Sequence, residues 1–153
     1  SLSREPSEDI RRAGTMSLGW VALLQIDAFD AYRAQAGEEV ARALTRRLCA
    51  SVGGSQGPMG SLLCAYQDGM VAVATPPLSA EEVRRILDTA RETIAHLKIR
   101  HRDATARGVV TLSGGYAAVE GRLAGRALAH ASNAVATAAQ AGGDRLIQHQ
   151  EPR

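Results

Sequence analysis

Residues 20–27 read WVALLQID, an apolar run too short for a helix and closed by Asp27, which predicts a buried central strand. From Phe29 to Val52 the spacing becomes helical: Val40, Leu44 and Leu48 recur every four residues, with Arg42, Arg46 and Arg47 between them. Gly37 is expected to divide this stretch into a short helix and a long one. GGSQGPMG at 53–60 is a loop rich in turn formers that leads into a strand over LLCAY. Within CAYQDGMVAVA, residues 64–74, Asp68-Gly69 separates two apolar runs. A type I′ turn needs positive φ at both central residues, and Asp-Gly tolerates it, so this stretch predicts a β-hairpin.

Pro76-Pro77 ends the second hairpin strand, and Ser79-Ala80-Glu81-Glu82 then supplies a capping box for a helix. Val83, Ile86, Leu87, Ala90, Ile94 and Leu97 form the apolar stripe of that helix. A strand follows over GVVTLSGGYAAV, then an alanine-rich helix from about Arg122 to Gln140, stopped by Gly142-Gly143. RLIQH closes the pattern as a short edge strand. Residues 1–19 read as a polar linker or arm, 20–148 as a single domain and 149–153 as a tail. The order β-α-α-β-β-α-β-α-β implies an α+β fold, a central sheet with helices on its faces.

Composition adds limits rather than a function. A chain of 153 residues with 45% hydrophobic content supports one core and is too short for two comfortable ones. Its 18 basic and 16 acidic side chains are scattered, with no basic stripe and interleaved aromatics, so no nucleic-acid partner is expected. Lys98 is the only lysine, which leaves one candidate for any chemistry that needs one. Cys49 and Cys64 stand apart from each other and from histidines, and two buried thiols in a reducing compartment are expected. No apolar stretch approaches the length of a membrane span, and SLSREPSEDIRRAGT lacks a signal-peptide core; a cytoplasmic location without direct membrane contact is expected. His96 and His101 lie off a common helix face, and His130 and His149 are isolated, so all four read as surface histidines rather than metal ligands. Ser113-Gly114-Gly115 reads as a bulge or a point of tight packing before it reads as a phosphate-binding turn.

Four stretches, in this order and spacing, carry a family resemblance. LLQIDAF at 23–29 is similar to a strand ending in D-x-D-x-F, and AYQDGMVAVA at 65–74 lies where R-Y-G-G-D-E-F and its following strand would be. VVTLSGGYA resembles V-T-x-S-x-G-x-A, and ALAHASNAVATAAQAGGDRL resembles L-x-x-A-D-x-A-L-Y-x-A-K-x-x-G-R-N-R-V. Together they cover residues 20–147 and resemble the GGDEF family, the bacterial diguanylate cyclase domains that join two GTP molecules into cyclic di-GMP. The fold that this resemblance implies is the nucleotide-cyclase or palm-like (ferredoxin-like) sheet.

Such chemistry uses Mg²⁺ held by carboxylates against a triphosphate, so that a 3′-hydroxyl can attack the α-phosphorus. By the resemblance, Gln67 and Asp68 stand at the two signature glycines, Gly69 and Met70 at the two acids and Val71 at the phenylalanine. Gln25 stands at the metal-binding first aspartate of D-x-D, followed by Asp27, and Arg33 stands at the guanine-recognising asparagine. The phosphate-holding lysine and arginine correspond to Ala139 and Gly143, and the inhibitory R-x-x-D falls at Pro58 and Ser61. These positions imply a degenerate domain with no catalytic or metal-ligating residue and no cofactor. It would act as a regulatory, dimerisation or interaction module beside a sensor or phosphodiesterase domain. Two alternatives stand beside this: a nucleotide-binding module in which Asp27 and Asp68 share a metal while Arg33 reaches a phosphate, and a cyclase with a rearranged site. In the plainer reading, Asp27 caps the following helix and Asp68 serves the turn.

Overall fold

The computed structural model describes residues 18–54, 63–101, 107–121 and 123–150, with backbone only at 53–54 and 63–66. Nine elements follow one another: β1 (Trp20–Ile26), α1 (Phe29–Ala36), α2 (Glu38–Gly54), β2 (Leu63–Gln67), β3 (Met70–Thr75), α3 (Ala80–His96), β4 (Leu112–Ala118), α4 (Ala124–Gln140) and β5 (Leu146–Gln148). The strands form one mixed sheet in the order β2-β3-β1-β4-β5. Only the β4–β5 pair is parallel; β1 runs antiparallel to both of its neighbours. This is the α+β arrangement expected from the order of apolar runs.

A strand side chain alternates between faces, and in β1 both faces are buried, which is why WVALLQI reads as a continuous apolar run. Trp20, Ala22, Leu24 and Ile26 join the core under α2 and α3, with Leu44, Leu48, Val83, Leu87 and Ile94. Val21 and Leu23 face the other way, into a smaller core with Ala127, Ala131 and Val135 of α4. Alanines let α4 lie close on the sheet. A Cβ at Gly115 would stand 2.4 Å from the Val135 nitrogen and 2.5 Å from the Ala131 oxygen. Tight packing is therefore the role of Gly114-Gly115.

Local signals set the element boundaries. Ser79 Oγ accepts from the Glu82 N–H at 3.1 Å while Glu82 accepts from the Ser79 N–H, completing the capping box. After α4, the Gly143 N–H bonds to the Ala138 oxygen and the Gly142 N–H to the Ala139 oxygen, a Schellman closure. Gly37 separates α1 from α2 as expected.

Several expectations need correction. Val40 is 51% exposed; the buried arc of α2 is Ala41, Leu44, Thr45, Leu48 and Val52, whose centre lies about 95° away from Val40 at roughly 100° per residue. Lys98 lies beyond the C-terminal end of α3, at positive φ, rather than on the helix. His101 is buried, not on the surface, and His130 and His149 are stacked at 3.9 Å rather than isolated. Cys49 is in a disulfide, so it is not the free thiol expected. Pro58, Ser61 and most of the N-terminal arm lie outside the described residues.

Candidate functional site

The corner built by the end of β1, the β2–β3 hairpin and the α4–β5 turn brings most of the singled-out residues together. Asp68 and Gly69 form the tip of the hairpin with φ of 45° and 82°, as a type I′ turn requires. The tip is held down by its backbone: the Gly69 oxygen accepts from the Ile26 N–H at 2.8 Å, and the Gly69 N–H donates to Thr45 Oγ1 at 3.1 Å. Gln67, Met70, Gln25 and Ser113 stand abreast across β2, β3, β1 and β4.

Asp27 lies one residue past β1, and its position is not that of a cap. The N-cap of α1 is Ala28, in the left-handed region at φ 50° and with no side-chain cap bond. The Asp27 carboxylate instead turns toward β4 and the α4–β5 turn. Its Oδ1 accepts from Ser113 Oγ at 2.6 Å, and its Oδ2 accepts from Thr111 Oγ1 at 2.7 Å and from the Asp144 N–H at 2.9 Å. Behind it, a Cβ on Gly143 would stand 2.7 Å from the carboxylate. Thr111 and Ser113 share a face because strand periodicity is two. That alternation within VTLS is the available signal, although by itself it says no more than strand.

Asp68 points elsewhere. Its Oδ1 lies 4.0 Å from Arg33 Nη1, while Arg33 also reaches Asp30 at 2.8 Å and Glu38 at 3.9 Å. The Arg33 guanidinium sits 5.4 Å from the centre of the Phe29 ring. Asp27 and Asp68 therefore serve separate networks, and Arg33 directs its charge at neighbouring acids. Ala139 is exposed on the last turn of α4, and Gly143 is buried against Asp27.

Further residues of the corner have no signal in the sequence. His101, 1% exposed, aims Nε2 at the Asp27 and Ala28 oxygens, 3.3 and 3.1 Å away, which requires the hydrogen on that nitrogen. Tyr32 packs edge-on against it, and burial raises the Tyr32 phenol above its ordinary pKa. Asp144 carries a second network, accepting from Arg91 at 2.8 Å and pairing with Arg107 at 3.1 Å. Burial opposes the charge on Arg91, but hydrogen bonds to Asp88 and Asp144 outweigh it and hold the guanidinium above its ordinary pKa.

The arrangement does not fit a divalent cation. Mg²⁺ asks for near-octahedral oxygen ligands with carboxylate charge. Both Asp27 oxygens already accept short hydrogen bonds, the Asp68 carboxylate lies beside a guanidinium, and Gln25, Gly69 and Met70 offer no charge. Among the described residues, no three His, Cys, Asp or Glu side chains are grouped to hold a metal. No described helix is long and apolar enough to cross a membrane.

Comparison with known structures gives the same fold. The coiled coil and GGDEF domain of DgcB from Caulobacter crescentus, in complex with c-di-GMP, superposes with a TM-score of 0.76 at 19% identity, over 93% of this chain and 78% of that one. The active GGEEF domain of a diguanylate cyclase from Vibrio cholerae gives 0.77 at 13% identity, over 99% and 100%. Diguanylate cyclase SiaD from Pseudomonas aeruginosa, in complex with its activator SiaC, gives 0.72 at 16% identity, over 94% of this chain and 55% of that one. No curated protein matches the sequence. The family model "Diguanylate cyclase, GGDEF domain" matches residues 2–145, nearly the whole chain, which therefore belongs to the GGDEF domain family.

Proposed function

We propose that this GGDEF domain is catalytically inactive and serves cyclic di-GMP signalling as a regulatory, dimerisation or interaction module. The observation that carries the reading is the use already made of its carboxylates. The Asp27 carboxylate accepts three hydrogen bonds from β4 and the α4–β5 turn, and Asp68 faces Arg33 from an exposed turn. Metal-assisted phosphoryl transfer needs charge on the metal-facing side of the nucleotide, and Gly69 and Met70 bring none to the hairpin. The residues present do structural work in its place: Asp27 ties β1 to β4, and the Gly69 backbone ties the hairpin tip to Ile26 and Thr45.

In this reading the domain spans 20–148 and acts in the cytoplasm of a bacterium through a neighbouring sensor or phosphodiesterase domain, or through a second copy of itself. The architectures of relatives support domain neighbours, since one carries a coiled coil and another is bound to an activator protein. Incubation of the protein with GTP and Mg²⁺ or Mn²⁺, followed by chromatography, tests it. No cyclic di-GMP above a no-protein control is expected, and product above that control overturns the reading. Calorimetry with GTP and with cyclic di-GMP separates the module from a nucleotide-binding one: micromolar binding that is lost in Asp68→Ala would favour the latter.

A further inference from the structure

We infer that the glycines at 69 and 143 are locked by packing, so that neither turn can take back a side chain, whether metal-ligating acid or phosphate-binding cation. The inference deepens the reading above and rests on it for the meaning of the two positions. Both turns press on the same short segment, residues 26–29. Gly69 has φ +82°, and a Cβ there would meet the Phe29 ring at 2.4, 2.6 and 2.8 Å. That ring cannot easily retreat, since Phe29 is 7% exposed and the Arg33 guanidinium lies 5.4 Å from its centre. Gly143 has φ +76°, and its Cβ would meet the Asp27 carboxylate at 2.7–2.9 Å. The carboxylate is fixed in turn by Thr111, Ser113 and the Asp144 N–H. A contact below 3.0 Å with a fixed group forces the backbone or its neighbour to move.

Left-handed φ alone strains any residue other than glycine, so the test separates strain from collision. Gly108 supplies the control, because it has φ +70°, close to the other two, and nothing within 4 Å of its would-be Cβ. Thermal midpoints are measured for Gly108→Ala, Gly69→Ala and Gly143→Ala. The last two are expected to fall at least twice as far as the control. Putting Gly143→Ala into an Asp27→Ala background removes the group it strikes, and the further drop should shrink to the size of the control. A third arm takes the double variant Gly69→Glu, Gly143→Arg and titrates Mn²⁺ alone, with no Mn²⁺-dependent rise in midpoint expected. Equal drops at all three glycines, no relief in the Asp27→Ala background, or a Mn²⁺-dependent rise would each overturn the lock. None of these outcomes bears on GTP turnover by the unsubstituted protein, so the lock and the inactive reading fail separately.

Discussion

Replacing Asp27 by alanine should be among the most damaging changes near the hairpin, and the structure gives its scale. Removal of the carboxylate strands the hydroxyls of Thr111 and Ser113, which are 2% and 0% exposed, together with the Asp144 N–H. A hydrogen bond to a charged group contributes about 1.5–3 kcal/mol, and an unsatisfied buried donor costs about 1–3 kcal/mol. The three donors share one acceptor group and the hydroxyls can rotate, so the losses do not add in full; about 3–5 kcal/mol is expected. In a domain of this size that lowers the thermal midpoint by roughly 6–20 °C. Asp27→Asn, which keeps one acceptor oxygen, should cost about half as much. Urea unfolding measures both, read as a shift in midpoint at constant slope. A loss below about 1 kcal/mol for Asp27→Ala would refute the structural role. So would unfolding of the unsubstituted protein that shifts with Mg²⁺, because the carboxylate would then be free to hold a cation.

Three further outcomes follow from other contacts. Ser79→Ala breaks the capping box of α3 and should cost about 1 kcal/mol in urea unfolding, while Ser79→Asp should restore most of it. Gly115→Ala sets a methyl against the backbone of α4, and a loss of about 3 kcal/mol or failure to accumulate as folded protein is expected; a loss below about 1 kcal/mol would deny the close approach. Tyr32 holds its proton more tightly folded than unfolded, because burial raises its pKa above 10.0. Its contribution is therefore complete below about pH 10 and is lost as pH rises through the folded value, which phenolate absorbance and unfolding midpoints between about pH 8 and 12 can follow.

What the chain discloses in advance depends on how local the signal is. Asp68-Gly69, the Ser79–Glu82 box and the Gly142-Gly143 stop each act within a few residues, and each is where spacing places it. Val40 shows where that ends: a four-residue recurrence gives an apolar stripe but not its phase, which tertiary packing sets by burying Ala41 and Thr45 instead. Asp27 shows it again at the corner. An aspartate before a helix ordinarily caps it, and nothing nearby in sequence says that Thr111, Ser113 and Asp144, more than 80 residues on, compete for its oxygens. The histidines share this limit, since His101 is buried by a turn 73 and 74 residues before it.

The central place of β1 bears on how the sheet assembles as the chain is made. Trp20 to Ile26 pair on one side with Met70–Thr75 and on the other with residues 112–118. The hairpin can close locally and then dock on β1, but the second edge of β1 stays unpaired until β4 emerges. Closing so long a loop late places β1–β4 pairing, and the α4 helix that seals it, on the slow side of folding. Until then Val21 and Leu23 have no α4 to cover them, a nascent chain with an open edge that is short-lived only if synthesis runs through to Gln140 without a pause.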